Sequence, residues 1–229
     1  MADDIFKEVD EELRAERMRA TARRYGMLVL ALVLVAAIGV SAWQYQLFSQ
    51  RKLASATATS FFAATKLADS TAHAGSGGGT GQADAAAMFA HIATTGPEGF
   101  RTLARFRQAQ IAWSAGQQAQ ALSLWNAVHD DTDADATLRG LASLLWVQHQ
   151  ADGGDAAVLK SRLGVLSAPD SIWRPMAQEL DAEIDLRLGH IEEARRKLTA
   201  LTEDGAAPEA LRNRAGGLND TLDTIKTGG

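Results

Sequence analysis

The amino-acid sequence predicts an all-α protein: a single N-terminal transmembrane helix, then a stack of antiparallel helix hairpins closed by a C-terminal capping helix. Three observations lead there. The composition is 46% hydrophobic but only 6% aromatic, with four prolines, and the β-branched residues gather in one segment, a balance that favours helix over strand. One run near the N-terminus is uncharged and long enough to cross a bilayer. Beyond it, glycine and proline divide the chain into segments of helical length. A chain of 229 residues holds one ordinary domain and an appendage.

Residues 1–24 form an amphipathic leader. Ile5, Val9 and Leu13 recur every fourth residue among Asp3, Asp4, Glu8, Asp10, Glu11 and Glu12, the pattern of a helix with one apolar stripe. The transmembrane helix is assigned to 25–48. Met27 to Trp43 contains no charge and holds nine Leu, Ile and Val residues, which together favour insertion by roughly 3 to 5 kcal/mol. At about 1.5 Å per residue, Tyr25 to Tyr45 covers roughly 31 Å, close to a hydrocarbon core of about 30 Å. Tyr25 at one end and Trp43 with Tyr45 at the other belong at the two interfaces. Arg14, Arg17, Arg19, Arg23 and Arg24 precede the run, whereas only Arg51 and Lys52 follow closely, so the N-terminus stays in the cytoplasm. The competing readings are a buried core helix and a signal peptide cleaved after Ala42, since Val40-Ser41-Ala42 weakly resembles a cleavage site.

A post-membrane helix follows at 49–73, with Leu53, Phe61, Phe62 and Leu67 on an alanine-rich background. Residues 74–82, AGSGGGTGQ, have no following lysine and no preceding strand, so they read as a flexible insertion and not as a phosphate cradle. The remaining domain, 83–229, carries expected helices at 84–94, 97–115, 117–129, 133–150, 155–166, 171–188, 190–202 and 208–225. Gly-Pro at 96 and 97, Gly116, Gly153-Gly154, Gly189 and Pro208 punctuate them.

Within this domain the chain repeats itself. Aligning Gly116 with Gly189 also pairs Ala109 with Ala182, Ile111 with Ile184, Ala121 with Ala194 and Trp125 with Leu198. The offset of 73 is about twice the roughly 34 residues of a tetratricopeptide (TPR) unit, leaving room for a degenerate repeat around Gly153. Small Ala109 and Ala121 let helices approach, glycine turns the chain, and Trp125 fills the space between hairpins, none of which buries its apolar face alone. The last helix, with Leu211, Leu218 and Leu222 among polar residues, suits a cap.

The order and wording of these segments resemble the ancillary SecYEG translocon subunit family (YfgM-like) over nearly the whole chain. The resemblance is carried by the charged leader and span ending in Trp43-Gln44-Tyr45, by RKLASATATSFFAATKLA, by TLARFRQAQIAWSAGQQAQAL, and by PMAQELDAEIDLRLGHIEEARRKL with its terminal helix. It implies a single-pass inner-membrane protein of a Gram-negative bacterium with a periplasmic TPR-like domain. It also implies three partners: the Sec translocon, a membrane-anchored periplasmic chaperone, and newly exported polypeptides. The alternative function is a soluble periplasmic TPR protein of envelope assembly or cell division, released by signal cleavage.

Chemistry is sparse. Without cysteine there is no disulfide, thiol nucleophile or thiolate metal site. The five histidines are scattered, with none spaced three or four residues from another, so no metal is expected, and no cofactor. Net charge is −5, and the chain beyond the leader still carries 17 basic against 21 acidic residues, which excludes a nucleic-acid partner. No Gly-x-Ser-x-Gly or His-Glu-x-x-His occurs, so the expectation is a non-enzyme. An enzyme would need ionisable groups brought together in a cleft only by folding. By repeat phase, Phe106, Gln110 and Trp113 in one hairpin and Glu179 and Glu183 in the other project from first helices and are the candidate partner-binding residues. For Phe106 and Trp113 the other reading is ordinary core.

Overall fold

A computed structural model describes residues 51–71 and 79–227, with further helical residues at 36, 38–41, 43–46 and 48. The chain divides into two compact units, Met1–Ser55 and Ala56–Gly229. Every regular element among the described residues is an α-helix, the class the composition predicts.

In the first unit the leader, Arg14, Arg17, Arg19, Arg23, Arg24, Tyr25 and most of the expected span lie outside the described residues. No helix of the described residues is long and apolar enough to cross a membrane. The described positions of 25–48 are helical, and Ile38, Val40, Trp43, Tyr45 and Phe48 are all more than half exposed.

The second unit is built from α1 (51–71, entering it at Ala56), α2 (Gly79–Thr95), α3 (Glu98–Ser114), α4 (Gln118–His129), α5 (Ala136–Gln148), α6 (Ala156–Leu166), α7 (Arg174–Arg187), α8 (Ile191–Glu203) and α9 (Glu209–Thr227). From α2 onward each helix packs on its successor, and α7 also touches α5 and α9. The core follows as a series of clusters. Phe61, Ala64 and Ala68 of α1 meet Phe89 and Ile92 of α2 and Ala104 of α3. Trp125, Val128 and Ala142 fill the space between α3, α4 and α5. Leu144, Leu159, Leu163 and Ile184 join α5, α6 and α7, and Leu198, Leu201, Leu211 and Ala215 join α8 to α9.

The repeat in the sequence is a repeat in the structure. Gly116 and Gly189 are the positive-φ glycines among the described residues, at +76° and +77°. In both turns the residue after glycine donates its N–H five residues back, Gln117 to Ala112 at 2.8 Å and His190 to Asp185 at 2.9 Å. A side chain at either glycine would strain this left-handed turn. Ala109, Ala121, Ala182 and Ala194 are all fully buried, as are Trp125 and Leu198 to within 3%, so paired positions do the same packing work in the α3–α4 and α7–α8 hairpins.

Boundaries shift where side chains cap. Asp135 accepts N–H bonds from Thr137 and Leu138, and Asp155 from Ala157 and Val158, which starts α5 at Ala136 instead of 133. Pro175 in its first turn fixes the start of α7 at Arg174 instead of 171. At the other extreme, α2 begins inside the glycine-rich stretch, at Gly79. Gly81 packs there against Thr71 of α1, where a Cβ would collide with the threonine methyl, so part of the expected insertion serves close helix approach.

Candidate functional site

The five residues assigned to partner binding fall into two groups. Phe106 and Trp113 are half-buried against the α3–α5 core. The Trp113 ring lies 6.0 Å from Trp125 and 4.0 Å from His149, and His149 stacks on Trp125 at 4.7 Å. Burial there lowers the His149 pKa. Gln110 is exposed and accepts a bond from Arg107 at 2.9 Å. In the other hairpin Glu179, only 6% exposed, takes a two-pronged contact from Arg214 of α9, both bonds 2.7 Å, and this carboxylate raises the Arg214 pKa. Glu183 reaches solvent, yet loss of hydration, aided by Glu179 and Asp152, pushes its carboxyl pKa up. Glu179 is thus engaged within the stack, whereas Phe106 and Trp113 are partly buried against the hydrophobic cluster and partly open to solvent.

A concavity lies elsewhere, over α5 between α4 and α6, a groove of about 880 Å³. Helix α6 explains it. Leu159, Leu163 and Leu166, spaced four and three apart, are buried, and the same spacing one residue earlier sets Val158, Arg162 and Val165 along the groove. Val158 is 52% and Val165 76% exposed.

Arg162 is the groove's centre. Its Nη1 donates to Asn126 of α4 at 2.7 Å, its Nε donates to the Ser143 hydroxyl of α5 at 3.2 Å, and its guanidinium sits 4.4 Å from the Trp146 ring centroid. Nη2 is buried with no acceptor among the described residues. Burial lowers the Arg162 pKa, but a guanidinium stays charged. His129 Nδ1 lies 2.8 Å from the Ser143 hydroxyl, and loss of hydration, then the Arg162 charge, lowers the histidine's pKa.

Ionisable groups therefore do converge, with Asp130 and Arg139 also lining the groove. Ser143 and His129 stand at the distance of a nucleophile and its base, yet Ser143 is 2% exposed and its oxygen already accepts from Arg162. That placement suits a wall-orienting bond better than attack on a substrate. No cluster of three or more metal-binding side chains occurs among the described residues.

The next gap along the stack, between α6 and α8, is filled. Lys160 and Lys197 both reach Asp185 of α7, and Lys197 also binds Asp181. Asp185 is 1% exposed. Burial opposes its ionisation, but the two lysines outweigh that and hold its pKa below the ordinary carboxylate value.

The Arg162 constellation escapes sequence reading because its parts are 19 and 36 positions from the arginine. The local signal was the arginine itself, set between two exposed valines on one face of α6. No protein-family model, curated protein or solved structure matches the chain.

Proposed function

We propose that this protein is a non-enzymatic inner-membrane scaffold whose TPR-like stack, with α9 as its cap, binds other proteins in the periplasm. On this reading its partners are the Sec translocon, a membrane-anchored periplasmic chaperone and newly exported polypeptides. The open groove over α4, α5 and α6 carries the proposal, because exposed branched aliphatic side chains beside a rigidly held guanidinium form a surface for a polypeptide. The resemblance of the leader, span and two repeat segments to translocon-associated proteins supports the location. So do the five large apolar side chains exposed between Ile38 and Phe48, which are costly in water and at home in lipid.

The test is a photoreactive residue at Val165 in intact cells, with mass spectrometry of the adducts. Translocon subunits or periplasmic chaperones among them support the scaffold. Division proteins alone, or no adducts, overturn it in favour of the released periplasmic protein.

A further inference from the structure

We infer that the α4–α6 groove recognises an acidic segment of a partner protein, with one carboxylate bound by Arg162 and a neighbouring aliphatic side chain seated between Val158 and Val165. The inference rests on the scaffold reading and specifies its ligand.

Two gaps between alternate helices of one stack can be compared directly. In the α6–α8 gap both cations end on carboxylates of α7, so their charge is neutralised inside the protein. In the α4–α6 gap the cation donates to neutral oxygens, those of Asn126 and Ser143, and keeps a buried N–H with no acceptor among the described residues. A buried donor left unsatisfied is unfavourable, and the guanidinium's hydrogen-bond acceptors are all neutral, the Asp130 carboxylate acting on it only as a nearby charge. A carboxylate arriving in the groove gives the guanidinium an ionic partner beside its neutral hydrogen-bond acceptors.

The fixed surroundings add selectivity. The Trp146 ring and the Asn126 and Ser143 oxygens hold the guanidinium before any ligand arrives, so little side-chain entropy remains to be lost. Arg139 adds a second positive charge to a groove within an acidic chain, while the one carboxylate lining it among the described residues, Asp130, repels an anion placed beside it. Exposed Val158 and Val165 lie one helical turn before and after Arg162 and offer apolar contact on either side of a bound carboxylate.

The test uses the full chain in detergent micelles and a short fluorescent peptide alternating glutamate with valine, read by polarisation. The expected result is saturable binding that weakens roughly tenfold or more when glutamine replaces glutamate, because a charged hydrogen bond becomes a neutral one. Arg162→Met weakens binding of the glutamate peptide by roughly thirtyfold or more and removes its advantage over the glutamine peptide. Val165→Asp, at a position 76% exposed, repels the acidic peptide and keeps the inference testable should Arg162→Met misfold. Equal affinity for the two peptides, or binding indifferent to Val165→Asp, overturns it. If crosslinks from position 165 still capture translocon subunits or chaperones in that case, the scaffold stands and only its carboxylate specificity falls.

Discussion

The hairpins α3–α4 and α7–α8 share a backbone and differ in their interiors. Their turns, buried alanines and closing glycines correspond position by position, yet the repeat pairs Ala112 of the first with Asp185 of the second, and Phe106 with Glu179. One interior is aromatic, with His149 stacked on Trp125 and Trp113 tilted against both. The other is ionic, with Asp181 and Asp185 holding Lys160 and Lys197. The lesson is that small residues at the helix crossings define the repeat, and what fills the rest is free to change. Polar groups can then serve as internal ties in one gap and stay available to a ligand in another.

The harshest way to break this comparison is Asp185→Ala, which installs the residue its repeat partner already has. The aromatic hairpin holds alanine there, buried in a hydrophobic cluster with Trp125 and Val128. In the ionic hairpin two lysines, each about one third exposed, lose their carboxylate, and the expected loss is about 3 kcal/mol. Urea unfolding of the full chain in detergent, followed by circular dichroism, measures it, and a loss under about 1 kcal/mol would show the lysines relaxing freely into solvent.

Gly116→Ala and Gly189→Ala probe what the hairpins share. Each forces a Cβ into a left-handed turn at a cost of about 1–2 kcal/mol, and equivalence demands similar values. A cost confined to one of the two would show that its partner turn can rearrange.

How much of this was legible in the sequence follows the same division. Gly116 and Gly189 announce the repeat because left-handed turns select glycine, and the buried alanines fall in phase with them. Caps were partly legible: Asp135 and Asp155 stand at the right places, but an acidic run such as Asp130 to Asp135 does not reveal which member caps. Glycines 79 and 81 were misleading, since close approach and flexibility use the same residue and only tertiary contact separates them. The groove was illegible because Arg162 meets Asn126 and Ser143 from distant helices, and Asp185 reads locally as one more solvated acid.

The two interiors also respond differently to acid. The folded protein holds His149 below its ordinary value of 6.5 through burial, so the unfolded chain takes up a proton first. Stability is therefore flat above about pH 6.5 and declines as pH falls below that, until the folded imidazole itself protonates. Asp185 is lowered from 3.8, so the ionic hairpin loses its tie only at much lower pH. Thermal melts from pH 8 to 5 should show the first decline, and His149→Phe should reduce its slope while leaving the part owed to His129. An unchanged slope would place the titrating group elsewhere.

The smallest stability effect is expected where the functional reading is strongest. Arg162→Met retains an unbranched stem and places a thioether near the Trp146 ring, while it removes a guanidinium that has an unsatisfied N–H and only neutral acceptors. The lost hydrogen bonds and the relieved burial of charge nearly offset one another, so stability should stay within about 1 kcal/mol of the parent. Lys197→Met, one gap further along, withdraws half the counter-charge from fully buried Asp185 and should cost about 2 kcal/mol. Measured side by side by urea unfolding, the two substitutions separate a cation kept for the fold from one kept for a ligand. Equal losses would make Arg162 a strut between α4, α5 and α6, and the groove beside it a by-product of packing.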